Sequence, residues 1–502
     1  MRLRQLLDPG IAVPGDPKSD PEIRSLTADS RKVDSGALFA AFVGTQSDGR
    51  GYIDDAVAQG AVAVLADSSM KDLALPVPLI VDPEPRRLFA KMASRFFDAQ
   101  PANIVAVTGT NGKTSIATFT RQLWQALGLK AASLGTLGLE APGFAGEAGL
   151  TTPDPVALHQ LLAELTEAGV RHLALEASSH GLDQHRLDGV VLKAAAFTNL
   201  SRDHFDYHGS VDAYFAAKAR LFGELLPKDG TAVLNADIPE IDKLKAICLE
   251  RGLRVVTYGR KADDIKLLQR HAHGDGQELE IAFNKRSFHI KTPLMGAFQA
   301  ENLLAALALA WVGLGDGMLD RLVAALGQVK GAPGRLQLVD GSQEGVSVFV
   351  DYAHTPDALS HVLKALRPHT KGELMVVFGC GGDRDKGKRP AMGKIAGDHA
   401  DKVFITDDNP RSEDPSSIRQ AILEACPDGI NLGDREKAIH LAVSKLGVGD
   451  ILVVAGKGHE TGQIVGDRVL PFDDVAVVKA ALVDRTGPGS KDSAPLLHGR
   501  EG

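Results

Sequence analysis

Ile104-Val105-Ala106-Val107-Thr108-Gly109-Thr110-Asn111-Gly112-Lys113-Thr114 is the stretch on which the fold of this chain turns. An apolar, β-type run stops at a glycine-rich turn. A lysine and a hydroxyl follow at once, and Ile116, Phe119, Leu123 and Leu127 then recur at helical spacing. Strand, glycine turn and helix in that order aim backbone N–H groups and a helix N-terminus at a polyphosphate. Lys113 supplies a point charge and Thr114 a hydroxyl for Mg²⁺. A nucleoside triphosphate is therefore the expected ligand. The loop is shorter than the usual G-x-x-x-x-G-K-[ST], because Val107 stands where the first glycine would fall.

Working outward, 502 residues exceed what one hydrophobic core ordinarily organises, so several domains are expected. A composition of 44% hydrophobic and 24% charged residues is that of a globular protein. The net charge of -8 argues against generic binding to nucleic acid or anionic membrane. An anionic substrate would need local basic pockets. Cys248, Cys380 and Cys426 are scattered and form no C-x-x-C pair, which suits a reducing cytosol. The N-terminal residues lack the apolar run of a signal peptide, and no stretch approaches the roughly 20 apolar residues of a membrane span. A cytoplasmic monomer is the expectation.

Residues 1–100 read as a small α/β unit, with strands at 37–43 and 61–65, a helix at 54–60 and another at 86–97. Residues 101–330 read as a second unit. It opens with the phosphate loop and alternates strands at 172–177, 194–199, 231–235 and 254–258 with helices, the pattern of a mostly parallel sheet. Residues 267–291 look like antiparallel strands, and the alanine-rich run 299–314 like a buried helix. Gly331-Ala332-Pro333-Gly334 is the linker candidate. Residues 331–485 form a third α/β unit with strands at 346–352, 374–378, 402–406 and 451–455. From about 486 the sequence reads as a disordered tail.

Ligands of open α/β sheets sit at the carboxyl ends of strands, and the polar residues concentrate there. Glu176 ends one strand and is a candidate Mg²⁺ ligand. Another strand leads into Asn199-Leu200-Ser201-Arg202-Asp203-His204-Phe205-Asp206-Tyr207-His208. Alternating His204, Asp206 and His208 leave a transition-metal hydrolase as a rival, although His204 alone assisting a phosphate-bound Mg²⁺ fits better. On spacing alone, Lys218 reads as a solvated helix lysine. In the third unit Asp351 ends a strand and could hold a ribose hydroxyl. The loops 379–389, 406–411 and 456–460 mix charge with glycine at successive strand ends, which fits a site for a polar, zwitterionic small molecule.

Thr108–Thr114, Glu176-Ala177-Ser178-Ser179-His180, Thr198–His204, Gly296-Ala297-Phe298-Gln299-Ala300-Glu301-Asn302 and Asp351-Tyr352-Ala353-His354-Thr355 together resemble the Mur ligase family of ATP-dependent amide-forming enzymes, over about residues 20–485. The resemblance implies three domains: one for a UDP-linked substrate, a central P-loop-type ATPase with a mostly parallel sheet, and a C-terminal Rossmann-like domain for the incoming amino acid. Within the family the similarity is to the branch that adds meso-2,6-diaminopimelate to the D-glutamate γ-carboxylate of UDP-N-acetylmuramoyl-L-alanyl-D-glutamate. A folylpolyglutamate-type ligase shares the ATPase core but not the N-terminal domain or the Asp408–Arg411 motif. A P-loop switch or transport ATPase would need a Walker B strand that is not found.

The residue roles implied by the resemblance are these. Gly109, Thr110, Asn111, Gly112, Lys113, Thr114, Ser115, Asn302, Arg335 and Asp351 would bind ATP. Ala28, Ser30, Thr45, Gln46 and Ser47 would meet the uridine nucleotide, and Thr151, Thr152, Ser178, Gln184 and Arg186 the muramoyl peptide. Leu150 stands where some relatives carry asparagine. Lys113, Glu176, His204 and Lys218 would be catalytic. Lys218 matches the lysine that the family carbamylates to N6-carboxylysine, and with Thr114, Glu176 and His204 it would hold Mg²⁺. Arg384, Asp408, Asn409, Pro410, Arg411, Gly456 and Glu460 would bind diaminopimelate. Arg411 offers a planar fork that can grip the distal carboxylate distinguishing diaminopimelate from lysine.

Overall fold

The computed structural model describes residues 1–9, 20–44, 47–145, 149–201, 203–341 and 345–486; of Ala145, Phe205, Asp206 and Thr486 it describes the backbone only. The tail expected from about 486 therefore lies almost wholly outside the described residues. Two compact units divide the chain. The first is Met1–Leu267 with Ala282–Arg286 and Asn302–Ala325; the second is Leu268–Ile281 with Ser287–Glu301 and the chain from Leu326 on.

The first unit opens with a four-stranded parallel sheet in the order Ser25–Thr27, Ala37–Ala41, Ala63–Ala66, Leu79–Val81. Only the middle two strands are legible in the sequence, because three-residue strands are too short to show a period. Helix Pro85–Phe97 starts with proline at its first turn, where no N–H is missed. It buries Leu88, Phe89 and Met92 with Leu38, Leu65 and Ile80.

A second sheet in this unit runs Arg254–Gly259, Thr231–Asn235, Leu192–Phe197, Asn103–Thr108, His172–Glu176, Ala131–Gly135 and Gly138–Ala141. The first six strands are parallel, and the last turns back antiparallel. Ile104, Ala106, Leu173, Leu175, Ala195 and Phe197 pack into one core. Burial on both faces is why these strands read as continuous apolar runs. The register matters most for function. Phe197 pairs with Thr108, and Glu176 with Val107, so three predicted motifs leave neighbouring strand ends together. Helix Lys113–Ala126 buries Ile116, Phe119 and Leu123, as its spacing implies. The expected helix 211–225 is α-helical over Val211–Arg220 and closes in a π turn, Leu221–Leu225.

Strands Ile265–His273, Gly276–Phe283 and Arg286–Thr292 occupy the region read as extended, and helix Ala297–Val312 buries its apolar residues from Leu303 to Trp311. In the second unit a six-stranded sheet runs Gln337–Leu338, Ser347–Asp351, Ile451–Ala455, Leu374–Phe378, Lys402–Ile405 and Ile430–Asn431; only the first strand is antiparallel. Asp351 pairs with Ala455, and Phe378 with Ile405, which sets the charged loops at adjacent strand ends. Residues 331–334, read as a linker, are packed rather than loose: Ala332 is buried and the Tyr352 N–H donates to the Gly334 carbonyl at 2.9 Å. Among the described residues no helix is long and apolar enough to cross a membrane.

Candidate active site

The turn after Asn103–Thr108 needs left-handed backbone at Gly109 (φ 139°) and Gly112 (φ 90°). It is also crowded: a Cβ on Gly109 would strike the Thr198 hydroxyl, and one on Gly112 would lie 2.6 Å from Asn302 Oδ1. Asn302 is thus brought against the loop in which the sequence places ATP. The neighbouring strand end clamps the loop from the side. Asn199 Oδ1 accepts the Asn111 N–H at 2.9 Å, the Thr198 hydroxyl donates to the Asn111 carbonyl at 2.7 Å, and the Ser201 N–H donates to Thr110 Oγ1 at 3.0 Å. Thr114 and Ser115 are buried in the first turn of the following helix.

Two ammonium groups converge on one carbonyl here. Lys113 Nζ donates to the Gly109 oxygen at 3.0 Å and to the Thr110 oxygen at 2.8 Å. Lys218 Nζ donates to the same Gly109 oxygen at 2.8 Å and lies 4.3 Å from the centre of the Tyr214 ring. Lys218 is only 1% exposed, which corrects its solvated reading. Burial, and then the charge on Lys113, push its amine well below the usual lysine range. Tyr214 is itself buried, which moves its phenol up to about 12 and keeps it a neutral hydrogen-bonding group beside Thr110 Oγ1, 3.3 Å away.

Glu176 is buried and held by a residue the sequence did not single out. Thr136 gives it the backbone N–H at 2.9 Å and the hydroxyl at 3.2 Å. The Thr136 hydroxyl also meets Thr151 Oγ1 at 3.1 Å. From there a chain of contacts joins the expected muramoyl-peptide residues. Thr152 Oγ1 donates to the Glu176 carbonyl at 2.8 Å, Ser178 meets Thr152 Oγ1 at 3.0 Å, and Arg186 donates to the Thr152 carbonyl and to Gln184 Oε1, both at 2.7 Å. The expected nucleotide residues at the N-terminus lie on short turns. Asp29 caps the turn Ser30–Lys32 through the Arg31 N–H at 3.1 Å, Ala28 is exposed, and the Ser47 carbonyl accepts from the Gly44 N–H. Thr45 and Gln46 fall outside the described residues.

His204 has left-handed backbone (φ 53°) and its ring meets His180 edge-on, centroids 4.9 Å apart; His208 lies 5.5 Å from His180 in the same stack of rings. Among the described residues no group of three or more His, Cys, Asp or Glu is placed to hold a metal. Of the hydrolase trio His204, Asp206 and His208, the Asp206 side chain lies outside the described residues.

In the second unit Asp351 accepts the Leu336 N–H at 2.6 Å and the Ala353 N–H at 2.8 Å. Burial pushes its carboxyl up, against the pull of Arg335. Arg335 stacks on Tyr352, 4.7 Å from the ring centre. The loop after Lys402–Ile405 buries Asp408 and Asn409. Asn409 Nδ2 donates to Glu460 Oε2 at 2.9 Å, joining two loops that the sequence assigned to one ligand. Arg411 donates to the Gly382 carbonyl at 2.9 Å from left-handed backbone (φ 51°). Gly456 has φ 116° and lies beside Asp408: a Cβ there would be 3.8 Å from its carboxylate. Arg384 is exposed on the neighbouring loop. Lys457, inside a loop the sequence flagged at its ends, is the buried residue that spacing did not identify.

Known proteins resemble this chain along most of its length. The family description "Mur ligase family, catalytic domain" matches residues 22–97, "Mur ligase middle domain" residues 107–310, and "Mur ligase, glutamate ligase domain" residues 334–458. The chain is 51% identical, over 97% of its own length and all of the relative, to the UDP-N-acetylmuramoyl-L-alanyl-D-glutamate–2,6-diaminopimelate ligase of Mesorhizobium japonicum. It is 51% identical to the ligase of the same name from Caulobacter vibrioides, over 92% of this chain and 96% of that one. A solved structure of a ligase with that name matches with a TM-score of 0.75 and 34% identity, over 97% of this chain and 99% of that one.

Proposed function

This chain belongs to the Mur ligase family, and from that premise we propose that it joins 2,6-diaminopimelate to UDP-N-acetylmuramoyl-L-alanyl-D-glutamate at the expense of ATP. It is an ADP-forming acid–amino-acid ligase of peptidoglycan synthesis, and so of cell-wall building. The observation that carries the reading is the strand register that draws the phosphate loop, Glu176 and Thr198–Asn199 to one sheet edge. We assign residues 1–100 to the UDP substrate, 101–330 to ATP and 331–485 to the amino acid, and the cytoplasm, where the precursor is made, as the place of work.

A carboxylate does not acylate an amine in water, because oxide is too poor a leaving group. The D-glutamate γ-carboxylate therefore takes the γ-phosphoryl group of ATP. Its oxygen bonds to phosphorus, the bond to the β-bridging oxygen breaks, and ADP leaves. The amine of meso-diaminopimelate then attacks the acyl phosphate. Phosphate departs with the bonding pair, the amine loses a proton, and the amide remains. Lys113 neutralises charge on the transferring group, and Gly109–Ser115 with Asn302 cradle the phosphates through backbone N–H groups and close contact. The family resemblance assigns Arg335 and Asp351 to the nucleotide as well. Ala28, Ser30, Thr45, Gln46 and Ser47 meet the uridine end of the substrate, and Thr151, Thr152, Ser178, Gln184 and Arg186 its peptide. Arg411 and Arg384 take the distal carboxylate of diaminopimelate, with Asp408, Asn409, Pro410, Gly456 and Glu460 around its distal ammonium.

Glu176, fixed at both oxygens, and the buried Thr114 hydroxyl are donors of the kind Mg²⁺ takes, and the family resemblance adds His204 to them. The ammonium of Lys218 is not such a donor, but its carbamate is. A buried amine that shares an acceptor with Lys113 is disfavoured as a cation, and the neutral form is the one that takes up CO₂, releasing a proton as the carbamate forms. Bound there, Mg²⁺ would neutralise the charge that spreads over the phosphoryl oxygens.

Phosphate release from ATP, with UDP-N-acetylmuramoyl-L-alanyl-D-glutamate and either meso-diaminopimelate or L-lysine, tests the reading. Release with diaminopimelate alone is expected. Equal release with lysine would remove the assigned role of Arg411, and release with neither would remove the ligase reading.

A further inference from the structure

Two loops of the second unit, 406–411 and 456–460, are tied together by a lysine with none of its surface exposed. Lys457 Nζ donates to Asn409 Oδ1 at 3.0 Å and to Glu460 Oε2 at 3.3 Å, and lies 3.5 Å from Asp408 Oδ1. Asn409 closes the ring: its Nδ2 donates to the same Glu460 oxygen at 2.9 Å, while its Oδ1 also accepts the Ile464 N–H at 2.9 Å. An ammonium taken fully out of water is strongly disfavoured unless its donors are met. Here all the partners of the ammonium are residues assigned above to diaminopimelate.

We propose that Lys457 is a positioning residue for amino-acid recognition. It fixes Asn409 and Glu460 against each other before the substrate arrives, pins one oxygen of Glu460, and offsets the charge of Asp408. The two carboxylates then stand close together without forcing each other apart. A recognition surface built from two separate strand-end loops keeps its geometry only if something joins them, and the Lys457 ammonium sits on both partners of the Asn409–Glu460 bond that does so. The inference rests on the diaminopimelate reading for the identity of the amino acid, not for the linkage itself.

The test measures KM for each of the three substrates, kcat and the melting temperature in wild type, Lys457→Met and Lys457→Gln. Losing one partner of a buried charge pair should raise KM for diaminopimelate at least about tenfold in Lys457→Met, while KM for ATP and for the UDP substrate stays within about twofold. Lys457→Gln, which keeps a donor for Asn409 and Glu460, should recover part of the loss. A lower melting temperature with all three KM values unchanged, or all three raised alike, would overturn the proposal. If Lys457→Met does not fold, the same split in Lys457→Gln decides. If wild type turns over L-lysine and not diaminopimelate, the functional reading falls, and KM for lysine in the variants then tests Lys457 by itself.

Discussion

Gly135→Ala separates the position of the Glu176 carboxylate from its chemistry. Gly135 ends the strand beside His172–Glu176, and a Cβ there would lie 2.5 Å from Glu176 Cγ and closer still to Cδ and Oε1. Carbon atoms in contact prefer about 3.5–4.0 Å, so the side chain must swing aside by about an ångström or more. A shift of that size breaks its bonds to Thr136, whose N–H and hydroxyl hold it at 2.9 and 3.2 Å. Hydrogen bonds to a charged group contribute about 1.5–3 kcal/mol each, and water returns part of that to the displaced carboxylate. A net loss of about 2–4 kcal/mol, felt in the transition state, corresponds to a fall in kcat of roughly 30- to 1,000-fold. Phosphate release titrated with Mg²⁺ should show both the lower kcat and a weaker Mg²⁺ response, with a cooperative melt retained. Thr136→Val, which removes the hydroxyl's bonds to Glu176 and Thr151 but keeps the N–H bond to Glu176, should lose roughly tenfold. A Gly135→Ala enzyme with wild-type kcat and an unchanged Mg²⁺ titration would refute the role given to the Glu176 carboxylate.

Lys113→Ala should lower kcat by at least about a hundredfold in the same assay, since it removes a preorganised charge from the transferring phosphoryl group; wild-type turnover would end the phosphate-loop scheme. Arg411→Ala should weaken diaminopimelate by about 2–5 kcal/mol, read as KM, and flatten the preference over lysine; an undiminished preference would place the distal carboxylate elsewhere. His159 is a probe of pH and stability. It is 1% exposed, and burial pushes its imidazole from an ordinary 6.5 down to about 4. The unfolded chain therefore binds the proton first. Stability is unaffected above about pH 6.5, falls as pH drops toward 4, and the loss reaches about 3 kcal/mol at most. Relative to wild type, His159→Leu should melt with a visibly shallower loss between pH 6.5 and 4, and parallel curves would refute the assignment.

The strands that carry the ATP chemistry are legible because each is an apolar run, buried on both faces, that stops at glycine or at a polar residue. Ala131–Gly135 was not, although it is the strand that positions Glu176. Ala-Ala-Ser-Leu-Gly has neither alternation nor β-branched residues, and its place between two strands comes from pairing with His172–Glu176 rather than from local preference. Thr136 follows it and went unread for the same reason. The π turn Leu221–Leu225 adds one residue to a helical turn, which a 3.6-residue period cannot register.

Lys218 shows where pattern reading stops. On the sequence it is one polar position of a weakly amphipathic helix, and nothing in its own spacing sets it apart from a solvated lysine. What buries it is the neighbouring strand and loop. Tyr214 stands one turn earlier on the same helix, and at that spacing the lysine ammonium lies over its ring. Both side chains then reach the phosphate loop, Tyr214 through Thr110 and Lys218 through the Gly109 carbonyl. A tyrosine four residues before a lysine is an ordinary pair on a surface helix. It becomes a site only because parallel strand order brings the ends of Leu192–Phe197 and Asn103–Thr108 side by side, and that order is a property of the sheet rather than of either segment. The identity of the lysine proposed for carbamylation is thus encoded in register, which local periodicity does not carry.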